Sequence, residues 1–204
     1  MPAPAPATLL IQTAFIGDVI LATALVEYLA QRTPATPLDV LVRRGNEGLL
    51  LGNPHIRHVL IWDKKSRKYP NLLRLLGAIK RTQYGRVVTL QRFASTGFLT
   101  AFSGAVERVG FAQNPFSRLF TRRVPHVIGD GTHEVARNLL LLENDKLKIR
   151  KELVAEKTSA STGPQKAVFT APFLIFNSTK PRLYPTPADE AAAAPYAAVG
   201  DYLC

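Results

Sequence analysis

Along this chain, short continuous apolar runs alternate with longer stretches whose apolar residues return every three or four positions, and the two periods predict different elements. "TLLIQT" (8–13) is a buried strand. "DVILATALVEYLAQR" (18–32) is an amphipathic helix stopped by Thr33-Pro34. Strand "PLDVLVR" (37–43), a short helix in "GNEGLLLG" and strand "HVLIWD" (58–63) follow. Helix "YPNLLRLLGAIKRTQYG" (69–85) closes on a glycine, and strand "RVVTLQ" (86–91), helix "STGFLTAFSG" and strand "ERVGF" (107–111) complete the regular part. Strands separated by helices at this spacing predict a Rossmann-like parallel sheet flanked by helices, of the α/β class.

Beyond Phe111 the pattern weakens, although "HEVARNLLLLE" (133–143) is again a helix. Residues 144–167 turn polar and end in a Ser/Thr/Gly/Pro cluster, a linker signal. "AVFTAPFLIF" suggests a strand pair or inserted hairpin, and the proline-punctuated segment from Ser178 suggests a connector. The last residues, "DYLC", look like the opening of another strand. The domain expectation is a disordered leader (1–7), a Rossmann-like domain (8–143), an irregular insertion and connector (144–201), and the first residues (202–204) of a further domain.

The junction between the first strand and helix raises a chemical question, because it carries an acid, Asp18, where nucleotide-binding folds place glycines. A phosphate on the exposed amides of that helix start would be repelled by a carboxylate. There is no G-x-G-x-x-G after the first strand, no G-x-x-x-x-G-K-[ST] and no His/Glu metal helix, and "GDGTHE" (129–134) follows no clear strand. The turn is therefore expected to serve something other than a phosphate, and as a helix-start acid Asp18 would stabilise its own helix by about 1 kcal/mol.

Charge narrows the partners. The chain holds 26 Lys and Arg against 15 Asp and Glu, a formal +11. Thirteen of the cations lie between 64 and 123, where the only acid is Glu107. Such a surface attracts anions, whether nucleic acid, anionic lipid headgroups or phosphorylated sugars. The aromatics do not interleave with the basic residues as stacking platforms would, which argues against RNA, although a non-enzymatic polyanion-binding α/β domain stands as the alternative function. A nucleotide-binding Rossmann protein of unrelated activity is a third. The single cysteine, Cys204, excludes an internal disulfide or a Cys metal site and fits a reducing compartment. "MPAPAPA" has no secretory pattern, and no apolar run approaches the ~20 residues of a membrane span. A cytoplasmic protein, peripheral to a membrane at most, is expected.

Four segments, taken in order, carry a resemblance: "LLIQTAFIGDVILATALVEYL", "YGRVVTLQRFASTGFLTAFSGAVERVGF", "HEVARNLLLL" and "KPRLYP". Together they resemble the N-terminal half of the family 9 glycosyltransferases, the ADP-heptose:lipopolysaccharide heptosyltransferases. The resemblance implies the N-terminal, acceptor-binding domain of a GT-B glycosyltransferase. That enzyme class passes a sugar from an ADP-sugar donor to a lipopolysaccharide core precursor, with inversion and without a metal or other cofactor. Asp18 corresponds to its general base and Gly17 to the residue that lets the backbone turn or leaves room for the acceptor. Arg92, Lys64, Lys65 and Arg118 would hold the anionic acceptor, with His133 and Arg137 facing the cleft from one helix start. Peripheral contact with the cytoplasmic membrane face follows, with no role for nucleic acid. The donor-binding residues belong to a half not represented in these 204 residues, so the chain alone is expected to be inactive. The fourth strand departs from the family pattern, carrying Arg86 and Thr89 where acids are common. Trp62, at a strand end, is expected in the core.

Overall fold

A computed structural model describes residues 6–129, 131–143 and 180–197. Six parallel strands form one sheet: β1 (Thr8–Ile11), β2 (Leu38–Arg43), β3 (His58–Trp62), β4 (Arg86–Thr89), β5 (Glu107–Phe111) and β6 (Arg122–Val124). Their order is β3-β2-β1-β4-β5-β6. The helices are α1 (Ile16–Arg32), α2 (Lys68–Thr82), α3 (Ala94–Ala101), α4 (Glu134–Leu139) and α5 (Pro187–Ala197). The first five strands and the first three long helices are those predicted, with ends displaced by a few residues.

Both faces of the sheet are covered, which is why its strands are apolar at nearly every position. Leu10 of β1, in register with Val40 of β2 and Val88 of β4, points into the core beneath α1 and α4. Its neighbours Leu9 and Ile11 point the other way, into the core with Leu41, Val87, Leu72, Ile79 and Leu99. Each fully buried Leu or Ile contributes roughly 1.5–3 kcal/mol of transfer free energy. Trp62 is 1% exposed and belongs to this second core, as its sequence position predicted.

Helix α1 begins two residues earlier than its pattern suggested, because Phe15 is extended and its N–H is taken by Asp18. It is stopped at Thr33, whose N–H closes on Leu29 O, before Pro34. The three-residue strand β6, "RRV", carries no apolar period and was not predicted. It forms because Arg122 and Val124 pair with β5 and because Arg122 donates to the carbonyls of Leu140, Leu141 and Glu143 beyond α4.

Ala7, at the end of the expected leader, and residues 182–184 of the expected connector pack against the sheet domain. Ala7, assigned to the leader, is buried and its carbonyl accepts from Gly85 N–H. Residues 182–184 return to α1: Arg182 N–H donates to Thr23 Oγ1 at 2.8 Å and Tyr184 hydroxyl to Glu27 Oε1 at 2.9 Å. A Cβ on Gly52 would collide with the Tyr184 carbonyl. Glu27 is buried because this segment covers it. Helix α5 starts at Pro187 with Asp189 accepting from both the N–H and the hydroxyl of Thr186, so a local cap within the connector organises it. The expected hairpin "AVFTAPFLIF" and the closing residues 202–204 lie outside the described residues.

One buried polar cluster locks the N-terminal edge of the sheet. Asp39, 1% exposed, accepts two hydrogen bonds from Arg57 (3.0 and 2.8 Å) and one from the Tyr84 hydroxyl (2.5 Å). Burial by itself would raise the Asp39 pKa, but the bonds from Arg57 and Tyr84 and the nearby positive charge outweigh it, so the net shift is downward. A carboxyl held below its unfolded value of about 3.9 adds stability above that pH, and this is lost as pH falls through the folded value. Tyr84→Phe is therefore expected to cost about 1–2 kcal/mol in urea unfolding at neutral pH. Its acid-unfolding midpoint should move to higher pH than that of the unsubstituted chain.

Candidate active site

The chain passes from β1 outward to β2 and β3, then crosses back to β4 on the other side of β1. The connections after β1 and β4 consequently leave in opposite directions, and a crevice opens between them at the carboxyl edge of the sheet. The residues that build its floor are the polar ones that end each apolar run. Gln91 Oε1 accepts from Thr13 N–H (3.2 Å) and from Thr13 Oγ1 (2.7 Å), bridging the two loops. Lys64, just past β3, donates Nζ to Thr13 O at 2.7 Å, and Asn46 donates to Ala14 O at 3.1 Å. From the far side Asn114 donates Nδ2 to the carbonyls of Gln91 (3.2 Å) and Phe93 (3.0 Å). Asn114 can approach because α3 carries Gly97 there, where a Cβ would collide with its amide. Gln91, Thr13, Asn114 and Asn46 are all buried. None was singled out from the sequence, although a polar residue directly after a strand's apolar run, as in "LLIQT" and "VVTLQ", is the available signal.

Asp18 stands at the rim of this crevice, in the first turn of α1 and half-buried. Its Oδ2 accepts from Phe15 N–H at 3.1 Å, so it supports its own helix start. Its Oδ1 accepts nothing among the described residues and is open to solvent, and no cation there forms an ion pair with it. Gly17, next to it, is exposed and helical without a positive φ, and a Cβ would meet nothing within 4 Å. The backbone does not require glycine at 17, and the space around its Cα is open.

The predicted cations separate into groups. Lys64 is half-buried above the Trp62 ring (4.9 Å), and burial, followed by the positive charges of Arg43 and Lys68, pushes its pKa down. Lys65, Arg67 and Lys68 are exposed on the loop and first turn beside it, and Arg92 is exposed immediately after Gln91. Arg118 is exposed on the turn between β5 and β6. Several others in the basic stretch do not reach the crevice. Arg86 and Arg122 bind Glu107 at the opposite edge of the sheet, and Arg108 donates to the carbonyls of Leu119 and Ala105.

His133 and Arg137 are one turn apart but differently engaged. His133 is exposed and caps α4, its Nδ1 accepting from Val135 N–H, whereas Arg137 is 9% exposed, pairs with Glu134 at 2.5 Å and donates to Thr132 O. The helix start thus does not present the two side chains equally. The structure adds His126, whose backbone is held from both sides by the Gln113 amide and whose ring meets Phe111 edge-on at 4.5 Å. Burial lowers its pKa, and the positive fields of Arg92 and Arg137 lower it further, which puts these three groups in one electrostatic neighbourhood. Its position after a short unpatterned strand gave no periodic cue.

A parallel sheet in this order defines an α/β domain, here with an acid and several exposed cations near its carboxyl edge. No family model matches the sequence, and no curated protein matches it. The fold does match solved structures of glycosyltransferases. A glycosyl transferase family 9 protein from Veillonella parvula superposes with a TM-score of 0.64 at 18% identity, covering 80% of this chain and 52% of the other. ADP-heptose lps heptosyltransferase II from E. coli gives 0.65 at 16% identity, covering 96% and 51%. E. coli heptosyltransferase WaaC, solved with ADP, gives 0.57 at 16%, covering 84% and 53%. The chain spans about half the length of each of these structures, in agreement with the expected N-terminal half. At these identities the likeness is one of fold.

Because the Gln91 side chain joins the β1 and β4 loops, Gln91→Ala is expected to leave the buried Thr13 hydroxyl and N–H without that acceptor and to cost about 1–3 kcal/mol in chemical denaturation. Gly97→Ala, which displaces Asn114, should cost a comparable 1–3 kcal/mol. A thermal melt of each variant checks both.

Proposed function

We propose that this chain is the acceptor-binding half of a glycosyltransferase that moves heptose, or a similar sugar, from an ADP-sugar to a lipopolysaccharide core precursor at the cytoplasmic membrane face. The observation that carries the reading is the open carboxylate of Asp18 at the switch point of a sheet whose fold is shared with heptosyltransferases. That one such neighbour was solved with ADP supports a nucleotide-sugar donor.

In this reading the acceptor hydroxyl approaches Asp18 Oδ1 from the space in front of Gly17. The carboxylate takes the hydroxyl proton as its oxygen forms a bond to the anomeric carbon. The bond from that carbon to the donor diphosphate breaks, ADP leaves with the electron pair, and the anomeric centre inverts. No metal or other cofactor is needed for this balance. Lys64, Lys65, Arg92 and Arg118 orient the acceptor's phosphates and carboxylates. His133 and Arg137 contact the same acceptor from the start of α4, with the Arg137 guanidinium held by Glu134 and Thr132. Gln91, Thr13 and Asn114 position the loops and do not touch substrate.

Asp18→Asn, tested in a protein that also supplies the donor-binding half, is expected to lower kcat by about 10²–10⁴-fold with little change in acceptor KM. Retention of full activity would remove Asp18 from the chemistry. For the 204-residue chain, titration with a phosphorylated core oligosaccharide should show binding weakened by Arg92→Ala. Preferential, sequence-independent RNA binding with a steep salt slope would overturn the acceptor reading.

A further inference from the structure

Between α2 and α3 lies a groove of about 630 Å³ that meets the proposed acceptor site at Lys64. Its walls are apolar: Leu72 and Leu73 from α2, Phe93 and Phe98 from α3, and Phe116 from the turn after β5, with Trp62 at the base. Phe98, Phe102 and Phe116 pack on one another in tilted and edge-on arrangements with centroids 5.0–6.1 Å apart, which extends the wall along α3. Unusually for such residues, Tyr69 is 70% exposed, Phe93 64% and Leu73 60%. Tyr69 and Leu73 are one turn apart on α2 and exposed, while Leu72 beside them lines the groove and, with Ile79, is buried in the core.

The rim of the same groove is cationic. Lys64 and Lys68 line it, Lys68 Nζ lies 5.6 Å from the Tyr69 centroid, and Lys65, Arg67 and Arg74 are exposed beside it. The one acid in that loop, Asp63, is already paired with Arg44 and accepts from the Lys65 and Ser66 amides. Exposed aromatic and aliphatic side chains beside the exposed cations Lys65, Arg67 and Lys68 match an anionic bilayer surface, where apolar tips enter the acyl boundary and cations meet phosphate headgroups.

We propose that the α2–α3 groove and its basic rim form a membrane-docking surface for anionic phospholipid, with Tyr69 and Leu73 as the inserting side chains. The inference deepens the proposed function by naming the surface that meets the membrane, and it rests on that reading for which membrane is met. Its test involves no sugar transfer, so either can fail alone.

The 204-residue chain is sedimented with vesicles of phosphatidylcholine alone and of phosphatidylcholine with phosphatidylglycerol. Binding is expected on the anionic vesicles, and the double variant Tyr69→Ser, Leu73→Ser should bind them about tenfold more weakly at the same salt concentration. Both residues are exposed, so the variant keeps its melting temperature; Lys65→Gln with Lys68→Gln weakens binding independently and steepens no salt dependence. Trp62 is the chain's one tryptophan and lines the groove, so brominated phosphatidylglycerol should quench its emission on docking. Failure to bind anionic vesicles at low salt overturns the proposal. So does unchanged binding by the Tyr69/Leu73 variant, which would mean charge attraction alone, or binding without quenching, which would place the lipid elsewhere.

Discussion

The working end of this domain depends on a single bridge, the Gln91 side chain accepting from both the amide and the hydroxyl of Thr13. β1 and β4 are adjacent strands whose following loops diverge, so backbone pairing ends where the crevice begins. Beyond that point only side chains can hold the loops together. Gln91 does so from within the sheet's edge, where water is excluded and a neutral hydrogen bond is stronger than in solvent. Lys64, Asn46 and Asn114 then satisfy the carbonyls that the diverging loops leave behind. The start of α1, and with it Asp18, inherits its position from this network.

Charge is divided by topology in a way that a count along the chain conceals. The basic stretch from Lys64 to Arg123 runs through both edges of the sheet. At the amino edge, Arg86 and Arg122 are spent on Glu107 and on carbonyls past α4, while Arg57 is held by Asp39. At the carboxyl edge Lys65, Arg67, Lys68 and Arg92 remain exposed. The ligand-facing field is therefore built by fewer cations than the formal +11 suggests, and they are concentrated beside the crevice and the α2–α3 groove. The two surfaces meet at Lys64 and Phe93.

The connector shows how a segment with little pattern can still be placed. Thr23 and Glu27, polar residues on an otherwise apolar helix, find their partners in Arg182 and Tyr184, some 157 or more residues away in the chain. His55 adds an edge-on contact to the Tyr184 ring at 6.1 Å. Burying Glu27 is tolerable because its carboxylate is hydrogen-bonded there.

The sequence by itself determined the alternating elements of the first 111 residues, the parallel sheet and the burial of Trp62, because those follow from local periods of apolar residues that any covered α/β sheet must show. It also marked Asp18 as an acid in an unusual place. Only the tertiary structure decided that Gln91 reaches Thr13, that Arg137 is buried while His133 is not, that β6 exists, and that the His126 ring packs edge-on against Phe111. These are contacts between residues far apart in the chain, set by strand order and by the switch in connection direction, and no local period encodes them.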